Sequence, residues 1–244
     1  MCARARAVLT ATRQWSSTLQ HAHANPTLLS ALGYWIERAD DVGSPAYAPS
    51  LADVLRLGRT SPRAAIEETT VTVDGVDFMF INLDESIAFR KPKLVETFFD
   101  ASLITCCLYV ADLAAFDQTD DASGTNALER EFETFDAFVN RGRMTKTPVL
   151  LMLNKRDILK RRLAQGVSFV SAAGRFADYQ GAADDVDAMI AYVMAKFVAR
   201  NTSAERYVYT HVSVAVEASM HVVFNACKDV ILRASLVQAG FMMP

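Results

Sequence analysis

The chain has 244 residues, 51% hydrophobic and 22% charged, with a formal net charge of −3. That suits one large domain, or a domain with a small appendage, around a real core, and the slight negative balance argues against a nucleic-acid surface. The longest largely apolar run, Ala101 to Ala111, has 11 residues where a bilayer-spanning helix needs about 20, so it reads as a buried strand.

Residues 1–42 read as helical. Leu28, Leu29, Leu32, Trp35, Ile36 and Ala39 recur at helical spacing behind Asn25-Pro26, a start signal. Arg13 and its polar neighbours break any secretory apolar stretch, and Met1-Cys2 lacks the glycine that myristoylation needs. Gly43-Ser44-Pro45 and Ala48-Pro49-Ser50 punctuate the chain. A short helix follows, with Ser50 as its N-cap and Asp53 three residues on, and Gly58 to Pro62 is a loop.

The pattern then changes. Val71 to Val73 and Val76 to Ile81 flank Asp74-Gly75, which predicts a hairpin, because Asp-Gly supplies the positive φ of a tight turn. Strands are expected at Ile104–Val110, Val149–Leu153 and Tyr207–Ala215. Helices are expected at Thr125–Asn140, with Leu128, Phe132, Phe135 and Phe138 inward, at Asp184–Arg200, and at Glu217–Leu236. Strands alternating with helices imply βαβ units and a mostly parallel sheet covered on both faces. In such sheets ligands sit beyond the carboxyl ends of the strands.

Cys2, Cys106, Cys107 and Cys227 lack metal-ligand spacing and read as small buried hydrophobes. His211 and His221 stand apart from any nucleophile or metal motif and read as structural.

The strand Leu150-Leu151-Met152-Leu153 ends in Asn154-Lys155-Arg156-Asp157, an N-K-x-D sequence. A carboxylate such as Asp157 can accept from the ring N–H and the exocyclic amine of guanine together; adenine offers no such pair. Charge-assisted bonds of this kind are worth roughly 1.5–3 kcal/mol each, and a wrong base leaves the carboxylate unpaired. The stem of Lys155 can lie over the base, and Asn154 can tie the loop to its neighbours. The competing reading is a polar helix start, with Asp157 favouring a helix N-terminus and Lys160, Arg161 and Arg162 forming a solvated face. Backbone N–H groups along Val212 to Val216, Ala215 included, offer partners for the guanine carbonyl.

Several segments together resemble a heterotrimeric G-protein alpha subunit from about Leu32 to Phe241. They are Asp53-Val54-Leu55-Arg56; Arg59 before Ala65-Ile66-Glu67; Thr125-Asn126, Phe135-Asp136 and Asn140; Phe176 to Gly181, as F-x-x-Y-x-G; Tyr209-Thr210-His211 before Ser213-Val214-Ala215-Val216; and Val223 to Ala226 through Ile231 and Leu236 to Gly240. The resemblance implies a Ras-like α/β GTPase domain over 57–244, preceded over 1–56 by part of an all-helical inserted domain. It implies GTP or GDP as ligand, magnesium in the family, and Arg59 at the catalytic arginine position. It implies a beta-gamma dimer, a seven-helix receptor and an effector as partners of a cytoplasmic chain at the inner face of the plasma membrane.

The departures concern the phosphate end. No G-x-x-x-x-G-K-[ST] sequence occurs in the chain. Asn82 replaces the metal-linked aspartate of switch II, Asp84 and Glu85 replace two glycines, and Ser86 replaces the water-orienting glutamine. Pro62 or Arg63 stands where the family has its magnesium-binding threonine. These changes predict impaired GTP hydrolysis; the alternative is a nucleotide-independent interaction module. The family's first strand would precede Met1, as in a shortened gene model, and its loss deprives the hairpin and the 104–110 strand of their shared partner. Direct pairing of those two strands, or a partner protein, is the expected repair.

Overall fold

The computed structural model describes residues 34–35, 37–50, 52–53, 66–83, 104–119, 124–140, 145–170, 175–213, 220–238 and 241. The chain divides into two compact units, Met1–Pro62 and Arg63–Pro244.

In the first unit, the short helix α1 spans Ala39–Val42. The predicted cap after it is present: Ser50 N and Oγ both donate to Asp53 Oδ2 at 2.6 Å, and Asp53 N donates back to Ser50 Oγ at 3.3 Å. Asp53 is 1% exposed, and its other oxygen accepts from Tyr34 at 2.5 Å and from Arg38. A carboxylate this enclosed persists because cation and hydroxyl donors satisfy it. Its pKa is accordingly held well below the ordinary value: enclosure works against the shift, but hydrogen bonds from Ser50 and Tyr34 outweigh it.

In the second unit, β1 (Ile66–Val73) and β2 (Val76–Leu83) form the expected antiparallel hairpin. Asp74 and Gly75 turn it with φ of 52° and 75°, both in the left-handed region. The strands β3 (Cys107–Asp112), β4 (Val149–Asn154) and β5 (Val208–Val212) form a wholly parallel sheet in the order β3-β4-β5. Between them run α2 (Ala127–Val139), α3 (Arg156–Ala164) and α4 (Val186–Val198), and α5 (Met220–Gln238) follows β5.

Period-two alternation sends β4 into two cores. Val149, Leu151 and Leu153 join Leu128, Phe132, Phe135 and Phe197 on one face. Leu150 and Met152 meet Cys227 and Val230 of α5 on the other. Burial on α2 falls on Leu128, Phe132, Phe135 and Val139, with Phe138 only partly covered, so the apolar stripe closes on a valine where Phe138 was expected. The cysteines Cys106, Cys107 and Cys227 are free, and burial pushes the Cys106 thiol up to about 12.

Of the two repairs expected for the missing strand, direct pairing does not occur among the described residues. The hairpin and the parallel strands are not one sheet: among the described residues they form separate two- and three-stranded sheets, and β2 does not pair with β3. Side-chain packing on α5 joins them instead. Phe224 lies 5.2 Å from Phe78 and 5.7 Å from Phe80, between ring centroids, and Lys228 Nζ pairs with Asp74 at 2.8 Å. A helix can bridge two sheets because its contacts are apolar and need no ladder register, which a strand-to-strand join would demand.

Gly181 explains part of the F-x-x-Y-x-G stretch. A Cβ there would overlap the Tyr179 hydroxyl and ring, which pack into an aromatic cluster with Phe169 and Tyr192. Only glycine lets the backbone pass so close.

Candidate functional site

The sheet fixes where the N-K-x-D residues stand. β4 is the central strand, so its backbone is held on both sides and its carboxyl end is the middle of that sheet edge. Asn154 is its last residue, and its side chain lies 3.5 Å from Ser213 Oγ. Ser213 N also donates to Leu153 O at 2.8 Å, continuing the β5 pairing to the end of β4.

Lys155 follows with φ 64° and ψ 34°, a left-handed conformation that costs a non-glycine residue free energy. This single residue turns the chain from β4 directly into α3. Its ammonium pairs with Asp112 Oδ2 at 2.5 Å. Asp112 ends β3 and is the register partner of Asn154 across the parallel ladder. Its second oxygen accepts from Ala114 N at 2.8 Å, which caps a 3-10 turn at Leu113–Asp117.

Asp157 falls in the first turn of α3, where the helix dipole favours a carboxylate. It is exposed, and its side chain has no hydrogen-bonding partner among the described residues. Asp157 thus stands at a helix N-terminus, as the helix-start reading expects, and its oxygens have no hydrogen-bonding partner among the described residues. Arg156 points elsewhere, pairing with Asp187 of α4 at 2.8 Å on the surface.

The solvated face expected on α3 is only partly so. Lys160 and Arg161 are exposed, but Arg162 is 8% exposed; it donates to Ala114 O at 2.8 Å and pairs with Asp117. Burial pushes the Asp117 carboxyl up from its ordinary value, against the pull of Arg162. The 112–117 segment therefore grips α3 at its N-cap residue and again two turns later. Asn126 buttresses the segment from α2. Its Oδ1 accepts from Leu128 N and Glu129 N, and its Nδ2 donates to Phe116 O and Gln118 O.

Asp112 and Arg162 were not singled out from the sequence. The signal for Asp112 was its position, a carboxylate ending an apolar strand, as Asn154 does on the next strand. Nothing local marks Arg162 off from Lys160 and Arg161.

Arg59, Ala215, the 62–63 positions and Asp84, Glu85 and Ser86 lie outside the described residues. Asn82 stands near the end of β2, exposed. Among the described residues no group of three or more His, Cys, Asp or Glu is placed to hold a metal ion. No described helix is long and apolar enough to cross a membrane.

A family model described as G-protein alpha subunit matches residues 7–231. The chain belongs to that family. It is 31% identical over 219 residues to the guanine nucleotide-binding protein alpha-2 subunit of Kluyveromyces lactis, covering 88% of this chain and 37% of that one. It is 26% identical over 208 residues to the G(o) subunit alpha of Caenorhabditis elegans, covering 85% and 56%. It is 26% identical over 239 residues to the alpha-7 subunit of Dictyostelium discoideum, covering 96% and 58%. The chain thus spans between 37% and 58% of the length of these relatives.

Proposed function

We propose that this chain is a guanine-nucleotide-binding signal transducer of the alpha-subunit kind, which recognises the guanine base through Asn154, Lys155 and Asp157 and hydrolyses GTP poorly. In this reading 57–244 is Ras-like and 1–56 belongs to the family's helical insertion, and no glycine-rich phosphate loop occurs within residues 1–244. Its partners are a beta-gamma dimer, a seven-helix receptor and an effector; its place is cytoplasmic, at the inner face of the plasma membrane.

One observation carries the base site: the free Asp157 carboxylate, presented in the first turn of α3 directly beyond the central strand, with Lys155 turned left-handed to put it there. A carboxylate with no hydrogen-bonding partner among the described residues, next to a strand paired on both sides, suits the two N–H donors of guanine. Ala215 belongs to the site as the source of a backbone N–H for the guanine carbonyl; Arg156 belongs to it as the third residue of the N-K-x-D sequence, its side chain turned to Asp187. Arg59 is the candidate catalytic arginine. Poor hydrolysis is supported by the neutral amide of Asn82 and by Ser86 at the water-orienting position.

Binding of a fluorescent guanine nucleotide, with and without magnesium, tests the reading against Asp157→Ala. Asp157→Ala is expected to weaken binding about tenfold or more, the equivalent of one charge-assisted pair; equal binding by both proteins would overturn it.

A second reading has one observation in its favour. Leu232 of α5 and Phe241 beyond it are 59% and 80% exposed, two large apolar side chains that a protein partner would cover. In this nucleotide-independent module, association with a beta-gamma dimer proceeds in nucleotide-free buffer; a requirement for added nucleotide excludes it.

A further inference from the structure

The pair Lys155–Asp112 joins residues from two strand ends, and its partners are unequal. Asp112 is fixed: one oxygen caps Ala114 N at 2.8 Å, and its backbone is held in the β3–β4 ladder. Lys155 is the residue in a costly conformation, at φ 64° and ψ 34°, with no side-chain cap of its own to the helix. A fixed carboxylate therefore holds a long cationic side chain at the residue that sets the direction of α3's first turn, and Asp157 is two residues further on. The second grip, Arg162 on Asp117 and Ala114 O, keeps the far part of α3 on the same segment.

We propose that Asp112 is a positioning residue of the base site. It acts through the Lys155 ammonium: it holds the left-handed turn and keeps the lysine's stem, rather than its charge, at the mouth of the site. This rests on the guanine reading of the 154–157 loop and adds to it a residue outside the N-K-x-D sequence. The chemistry asks for a carboxylate at 112, because an amide keeps the cap on Ala114 but loses the charge that holds the ammonium.

The test is GDP affinity of the full chain, measured by calorimetry, in a cycle of Asp112→Asn, Lys155→Met and the double variant, with Asp112→Glu as rescue. Lys155→Met removes the ammonium and keeps an unbranched stem. Asp112→Asn is expected to weaken GDP binding about tenfold with its unfolding midpoint little changed, and Asp112→Glu to bind within about threefold of the parent. In the Lys155→Met background, Asp112→Asn is expected to change affinity less than about twofold, since its route of action is gone. A merely structural Asp112 would weaken binding equally in both backgrounds, and that result overturns the proposal, as does parental affinity in Asp112→Asn. If Asp112→Asn does not fold, Asp112→Ser, which also keeps a cap acceptor, takes its place in the same cycle. Loss of binding in Asp157→Ala with none in Asp112→Asn defeats this proposal alone. No GDP binding by the parent, or parental binding by Asp157→Ala, defeats the guanine reading and this proposal with it.

Discussion

Along β4 every residue from Val149 to Leu153 is at most 5% exposed, whereas Val76 and Met79 of β2 are 48% and 59% exposed and Val110 of β3 is 53% exposed. All three strands carry similar apolar residues. What differs is position: β4 has a strand on each side and a core on each face, while β2 and β3 each have one described strand partner. Around β4, helix–sheet packing, two ion-pair grips and the Asn126 buttress hold the site end in place. The hairpin is tied to the three-stranded sheet through Phe224 and Cys227–Val230 of one helix. Strand character is thus a property of the local sequence, but rigidity comes from the number of neighbours a strand acquires, and the candidate site stands at the end of the strand that acquired most.

Removing a keystone on the rigid side is expected to have the largest effect. Phe135 is fully buried and stacks edge-on with Tyr109 and Phe197, so Phe135→Ala should destabilise the chain by about 3–5 kcal/mol in denaturant unfolding. A loss under about 1 kcal/mol would show that the site-side core is looser than its burial implies. Next comes the tether. Phe224→Ala should cost about 3 kcal/mol, the low end for such a truncation, because Phe78 and Phe80 are themselves only partly covered. Its signature is in amide exchange: β1 and β2 lose protection first, while β4 keeps it. Parallel loss in both sheets would mean that the two regions unfold as one unit.

Asn126→Ala probes the buttress. Losing an N-cap costs about 0.5–2 kcal/mol, and loss of the buried bond to Phe116 O pushes this chain toward the upper end, while Gln118 O keeps the Ala127 N–H. The same variant should also loosen the 112–117 segment, seen as faster exchange at Ala114; unchanged exchange there would separate the cap from the clamp. The smallest effect is expected on the exposed edge. Val110→Lys should alter stability by no more than about 0.5 kcal/mol while reducing self-association in light scattering, since a charged edge residue discourages strand-to-strand pairing. A large destabilisation would show that the β3 edge is covered in solution.

Much of this architecture was legible in the residues. The Asp-Gly turn, the α2 stripe, the capping box at Ser50–Asp53 and the N-K-x-D loop after an apolar strand are local patterns, each specified by φ, by periodicity or by a side chain reaching its own backbone. Boundaries moved by a few residues: the strand expected at 104–110 is Cys107–Asp112, and the helix expected to end at Leu236 runs on to Gln238. The shift on β3 mattered, because it brought Asp112 into the strand and opposite Asn154.

The sequence by itself determined the Asp-Gly hairpin, the parallel strand–helix alternation of the second unit and an N-K-x-D sequence after one apolar strand, while α3 was legible only as the competing helix-start reading of that sequence. Only the tertiary structure decided that Arg162 is buried while Lys160 and Arg161 are not, that Lys155 answers to Asp112, 43 residues away, and that a helix rather than a strand joins the hairpin to the parallel sheet. The reason is physical. Periodicity and capping act over a few residues of chain, whereas charge pairing and burial depend on which surfaces meet, and no local pattern distinguishes one lysine or arginine on a helix from the next until the neighbouring segment is in place.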